Sequence, residues 1–331
     1  MRRLALSVVV AAACVLGASA AEKGSVVFKP TFEGERAMRQ VHTLMQWVPR
    51  SIDSPGHHRT LAYIESVLRS YPDMLIVRQD WTEKRADGKV LVLTNLIGRL
   101  REKSEPRLLL GTHYDSIVRA YRDPDPALRD SPMPGANNSA SGVAVLLELA
   151  RVLSSKAHAP MGVDFVFFDG EEGPLSLGAG DSNWHALGSP YFAAHVSGVY
   201  PGHLPRAAVI YDMVCKKGLR LIPEASSLRF APHEVESFWK TGVRLAPDAF
   251  AGAAPVGPIG DDQVPLAKLG IPSILVIDFD YEPWFNTSHD TEDKCDPASL
   301  QGVGRTTVAF AEQLVGGQSN AGETSPGDAQ H

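Results

Sequence analysis

Cysteine is scarce in this chain, with three among 331 residues, too few for the disulfide framework that holds small exported domains together. Positive charge is not in excess either. Lys and Arg total 32 against 38 Asp and Glu, a formal net charge of -6, which argues against the basic surface that nucleic acid or an anionic membrane requires. Apart from residues 4–17 there is no long apolar run, and that run is too short to span a bilayer. No internal repeat and no linker-like stretch divides the chain, so a single domain over residues 21–315 is the economical reading.

The two ends differ from the middle. Arg2 and Arg3 precede the apolar run of residues 4–17, and Ala18-Ser19-Ala20 follows it. That order is a signal peptide with a small-residue cleavage site, so residues 1–20 are expected to be removed, leaving a periplasmic or extracellular protein without a membrane span. Export makes a disulfide permissible between the two cysteines that remain, Cys215 and Cys295. Residues 316–331 are small and polar and read as a disordered tail.

Between the ends, helical and strand patterns alternate. Met38, Val41, Leu44, Met45 and Val48, then Leu61, Ile64 and Leu68, recur at helical spacing, so amphipathic helices are expected over 33–50 and 57–71, with Pro55-Gly56 separating them. Residues 74–81 and 90–97 flank Asp87-Gly88 and predict an edge hairpin. Residues 106–111, 163–168, 207–211 and 271–277 read as strands, and helices are expected over 143–153, in part of 224–245 and over 298–314. A Gly-Ser-rich loop is expected up to Ser189. Strands alternating with helices predict an α/β fold, a three-layer α/β/α sandwich with a mixed, mostly parallel central sheet.

The chemistry gathers where strands end. Residues 163–173, VDFVFFDGEEG, run from a buried strand into Asp169, Glu171 and Glu172. Ligands of parallel sheets sit beyond the carboxyl ends of the strands, and neighbouring carboxylates repel unless a cation or a shared proton compensates them. A solvated acidic turn would explain one such stretch. It does not explain four, and His113 with Asp115, Asp212, and the pair Asp261 and Asp262 also fall at strand ends or in loops that lead to the sheet.

Taken in order, these stretches resemble a known family. His113-Tyr114-Asp115-Ser116, residues 135–142, Phe167-Phe168-Asp169-Gly170-Glu171-Glu172, Asp212-Met213, Asp261-Asp262 with Pro265, and Gly270-Ile271-Pro272 are similar to the zinc aminopeptidase superfamily, most closely its glutaminyl-peptide cyclotransferase branch. The resemblance implies that Glu172 binds zinc and that Glu171 is the general acid/base. It implies that Asp212 and His113 are ligands in two-metal aminopeptidases, with Asp115 orienting His113. In cyclotransferases it implies a carboxylate network of Glu171, Asp212 and Asp261. The implied substrate is a peptide or protein N-terminus, with glutamine closing to pyroglutamate as zinc polarises its γ-amide.

Departures from the pattern fall on the metal. Asn138 stands where the family has a metal-binding aspartate, Asn286 falls in the slot of the C-terminal histidine ligand, and His289 lies three residues later. Gln263 replaces the histidine that often follows the Asp pair. A neutral amide suits hard cations better than zinc. A single zinc, if bound, is therefore expected to lean toward His113 and Asp212, with Glu172 or His289 completing its shell. Aminopeptidase hydrolysis and a lapsed enzyme that only binds peptides are the alternatives to cyclisation.

Overall fold

The structure is a computed structural model that describes residues 29–85, 88–155, 157–158, 161–173, 184–250 and 254–316. The expected signal peptide, the hairpin tip and nearly all of the expected tail therefore lie outside the described residues.

Six strands form one mixed sheet in the order β1-β2-β4-β3-β5-β6. They are β1 (Met74–Lys84), β2 (Val90–Leu100), β3 (Arg107–His113), β4 (Gly162–Phe168), β5 (Ala207–Asp212) and β6 (Ser273–Ile277). The hairpin β1-β2 lies at the edge, and β2 pairs antiparallel with β4. The other three pairings are parallel. Both faces are covered, as parallel strands require. Alternate strand residues divide between two cores: Leu108, Leu110, Phe165, Val209 and Val276 face one, and Leu109, Val166, Ala208, Ile210 and Leu275 face the other.

The first face carries α1 (Gly34–Met45), α2 (Pro55–Arg69), α3 (Gly142–Leu153), α6 (Pro232–Leu245) and α8 (Pro297–Gly316). The second is covered by α4 (Gly188–Ala194) and α7 (Gln263–Lys268). The short α5 (Ala225–Phe230) packs near β6. The α/β sandwich read from the alternation is the fold.

Boundaries differ in ways the local chemistry explains. The first helix stops at Met45, well short of Arg50, because Pro49 disfavours helical backbone at Val48 and removes a donor. Pro55 and Gly56 do not separate the helices; they form the first turn of α2, where proline loses no bond and Ser54 accepts the His57 N–H at 3.1 Å. Residues 188–189, expected in a loop, begin α4. Gly142 is required by packing: a Cβ there would lie 2.1 Å from Thr112 Oγ1 and 2.8 Å from Tyr211 O. Its absence lets the start of α3 sit against the ends of β3 and β5.

Candidate active site

The four parallel strands end on one side of the molecule, and their last residues build a narrow cleft. His113 ends β3, Phe168 ends β4 and leads into Glu171 and Glu172, and Asp212 ends β5. Asp261 arrives on the loop before α7. Glu171, Glu172, Asp212, Asp261, Asn138 and Asn286 line a cleft of about 40 Å3, with Trp184, Ile259, Phe279 and Phe285 as apolar walls. That volume holds a few waters or a group the size of a peptide's terminal ammonium.

Asp115 organises the acidic turn. Its two carboxylate oxygens accept the backbone N–H groups of Glu171 and Glu172 at 3.1 and 3.2 Å, and Oδ1 lies 3.4 Å from His113 Nδ1. Burial alone would raise this carboxyl, but His113, His57 and the Glu172 N–H outweigh it and hold the group below the usual range. The other nitrogen of His113, Nε2, is 3.4 Å from Asp212 Oδ1 and 4.0 Å from Glu171 Oε2. Burial disfavours the imidazolium, yet Asp115, Asp212 and Glu171 together hold His113 well above the ordinary histidine range.

One cation shares its neighbourhood with several buried carboxyls, so burial and mutual repulsion raise several of their pKa values. Burial first, then Asp261, Glu172 and Asp262, raises Glu171 well above its ordinary value in spite of His113. Burial, Asp212 and Asp262 do the same to Asp261. Glu172 is pushed up to about 8 and Asp262 to about 7, again chiefly by burial. These four groups lie near His113 with their proton affinities raised together, chiefly by burial.

Asp169, grouped with Glu171 and Glu172 in the sequence, turns away from the cleft. Its carboxylate meets His57 Nε2 at 2.8 Å and accepts the Tyr114 hydroxyl at 2.7 Å and the Thr94 N–H at 2.8 Å. It ties α2 and β2 to the end of β4. Asp290, buried and raised to about 6, accepts the N–H groups of Asn137 and Asn138 at 2.9 and 3.1 Å and the Tyr281 hydroxyl at 2.7 Å. Arg50 donates to the carbonyls of Pro134 and Gly135 at 3.0 and 2.6 Å. These contacts hold the loop that presents Asn138.

The metal slot is built from amides. Asn138 Nδ2 donates to Glu172 Oε1 at 2.7 Å and lies 3.5 Å from Asn286 Oδ1. Asn286 has φ +55°, a left-handed conformation that asparagine tolerates well, and its Nδ2 is 3.4 Å from the Tyr121 hydroxyl. His289 does not complete a shell here: it is exposed and absent from the cleft walls, and its N–H is held by Thr287 Oγ1 at 3.2 Å. The tight turn at residues 286–290 directs the buried Asn286 inward and His289 outward.

Asn138, Glu172 and Asn286 thus offer one carboxyl and two neutral amides, and Asn138 points an N–H at the carboxyl. Zinc is held by thiolate, imidazole and carboxylate, so this donor set does not fit it. The shifted arrangement is short of a ligand as well. His113 and Asp212 adjoin Glu171, while Glu172 is turned to Asn138, and among the described residues no three His, Cys, Asp or Glu side chains converge to hold a metal.

The reading of the residues missed the cleft walls and Tyr121. Trp184, Ile259 and Phe279 come from loops without periodicity, and Tyr121 sits in a Pro, Asp and Arg-rich loop, so no local signal marks them. Asp262 and its neighbours carried a signal, the paired carboxylates.

A family model described as Peptidase family M28 matches residues 95–311. The chain belongs to that family. Among solved structures, a zinc-dependent exopeptidase from Parabacteroides distasonis is 28% identical with a TM-score of 0.79, covering 86% of this chain and 99% of its own. The glutaminyl cyclase of Porphyromonas gingivalis is 30% identical with a TM-score of 0.78, covering 86% and 99%. The glutaminyl-peptide cyclotransferase-like protein of Bos taurus is 25% identical over 299 residues, 81% of this chain and 73% of that protein. The M28 frame thus accounts for the sheet and the strand-end carboxyls, and the similarity extends to its glutaminyl cyclases.

Proposed function

We propose that this M28 protein is an exported, glutaminyl-cyclase-like protein that receives peptide N-termini in its acidic cleft, and that its metal slot is eroded, so zinc-driven cyclisation is not its chemistry. The observation that carries this reading is the Asn138 amide donating to Glu172 at 2.7 Å, beside a carboxyl cluster that is otherwise complete. The likeness to glutaminyl cyclases supports N-terminal peptides as the ligand class. The signal-like order of the first twenty residues supports export.

The cluster suits a peptide's α-ammonium. Glu171, Asp212 and Asp261 share the cleft with His113, and an incoming ammonium stabilises the ionised forms of the raised pair, Glu171 and Asp261. Glu171 is the group best placed to take a proton from the amine, since it faces the cleft and its N–H is fixed by Asp115. The apolar walls exclude water and strengthen these contacts.

Metal analysis tests the erosion. Protein purified without chelator is expected to carry far less than one zinc, and Asn138→Asp with Asn286→His is expected to bind about one, since it restores a carboxylate and an imidazole to Glu172. Cyclisation of a glutaminyl peptide should appear only in the double variant. Stoichiometric zinc with cyclase activity in the unaltered protein would overturn the reading.

A further inference from the structure

The sheet is open along its outermost strand. β1 pairs on one side with β2 along all eleven of its residues, Met74–Lys84. On the other side alternate N–H and C=O groups point out of the sheet, and past Met74 no other segment among the described residues bonds to them. A long open edge is a template for a further strand unless charge or another segment blunts it. The charges here are Arg78 and Asp80, joined to each other at 2.9 Å with side chains 38% and 55% exposed. They flank Gln79, the middle residue of the eleven, and their signs are opposite, so the edge is its own electrostatic complement.

When two copies of one strand pair antiparallel about a twofold axis, one residue must face itself. With Gln79 in that position, all eleven residues of each strand are paired, and Arg78 of each copy lies opposite Asp80 of the other. Moving the axis one residue either way shortens the pairing and sets Arg78 against Arg78 or Asp80 against Asp80, which is destabilising. The longest register is thus also the one with matched charges. It sets Thr82 and Lys84 opposite Ile76 and Met74 of the second copy. On β2, the neighbours of Thr82 and Lys84 are Val92 and Val90, which are 57% and 53% exposed. The second copy's Ile76 and Met74, packed against the core on its helical side, extend that apolar row across the join.

We propose that β1 is the interface of a twofold dimer of this chain, in which two copies of β1 pair antiparallel about Gln79 and join two six-stranded sheets edge to edge. Main-chain hydrogen bonds supply the affinity, and the two cross pairs between Arg78 and Asp80 fix the register. β1 contributes no residue to the cleft, so the interface is tested apart from the proposed function.

Sedimentation velocity of the full-length mature protein over a concentration series tests it, with hydrogen–deuterium exchange on the same samples. The unaltered protein is expected to pass from monomer to dimer as concentration rises, with amide exchange slowing in residues 75–83. Asp80→Arg and Arg78→Asp each set like charges against each other, and each should weaken self-association at least about tenfold. An equimolar mixture of the two variants brings opposite charges together at both positions and should form a mixed dimer. Should Arg78→Asp fail to fold beside Glu65, Asp80→Arg and the exchange pattern of the unaltered protein decide by the same criteria. A monomer at every concentration overturns the proposal; if its residues 75–83 are already protected, the edge is covered by the chain's own segments. A dimer that is indifferent to both substitutions, or whose protected amides lie outside β1, overturns it as well.

Discussion

At the level of single side chains, Glu171 and Glu172 are adjacent carboxyls with different work. Glu172 is engaged by Asn138, while Glu171 faces His113 and the open cleft. Glu171→Gln is expected to lower affinity for free-amine peptides at least about tenfold, the scale of a charge-assisted hydrogen bond, and to abolish any turnover the protein has. The same change should raise the melting temperature, since it removes a buried ionisable group whose neighbours repel its charge. Calorimetry and a thermal melt on one preparation check both. A variant with unchanged affinity and turnover would remove Glu171 from the site.

At the level of elements, the segment that carries Asn286 and Asp290 is held by the disulfide Cys215–Cys295, formed across a sequence separation of 80. It joins the exit of β5 to the turn before α8. Around it, Cys215 N–H donates to Asn137 Oδ1 at 2.9 Å and the Asp296 N–H to the Cys215 carbonyl at 2.7 Å. Closing a loop of that length restricts the unfolded chain by about 4.5 kcal/mol in the chain-entropy model. Replacing both cysteines by serine should lower denaturant stability by about 2–5 kcal/mol and also weaken peptide binding, because Asn286 and Asn137 lose a common anchor. Urea unfolding with a parallel titration measures the two effects. Loss of stability with undiminished binding would show that the staple does not act on the cleft.

For the whole molecule, the balance of charge in the cleft couples binding and stability to pH. Glu172 and Asp262 rise from ordinary values of 4.5 and 3.8 to about 8 and about 7 on folding, so the folded state binds their protons more tightly than the unfolded state. For groups shifted in that direction, the stabilisation is complete below about pH 4 and is lost as pH rises to about 8. The raised His113 acts in the same sense. The melting temperature of the free protein should therefore fall from pH 5 to pH 8, while affinity for a peptide ammonium rises over the same interval as the cluster ionises. A melting temperature that climbs through that range would show the carboxyls to be ionised already. Export belongs to this scale too: mass spectrometry of secreted protein should find a chain beginning at Ala21. No helix among the described residues is long and apolar enough to cross a membrane.

The sequence by itself determined the layers, the strand ends and the family, because these rest on local periodicity and on polar residues that interrupt apolar runs. A buried strand such as residues 163–168 and an acidic turn behind it are legible without knowing what packs on them. Asn138 and Asn286 were also visible as departures from a metal-binding pattern. Only the tertiary structure decided which way side chains face. Asp169 and Glu171 are two residues apart, yet one turns to His57 and the other to the cleft, a choice made by the turn at Gly170 and by what surrounds it. His289 is excluded and Tyr121 included for the same reason. Contacts between residues distant in the chain depend on how loops from several strands converge, and no spacing within one stretch encodes that convergence.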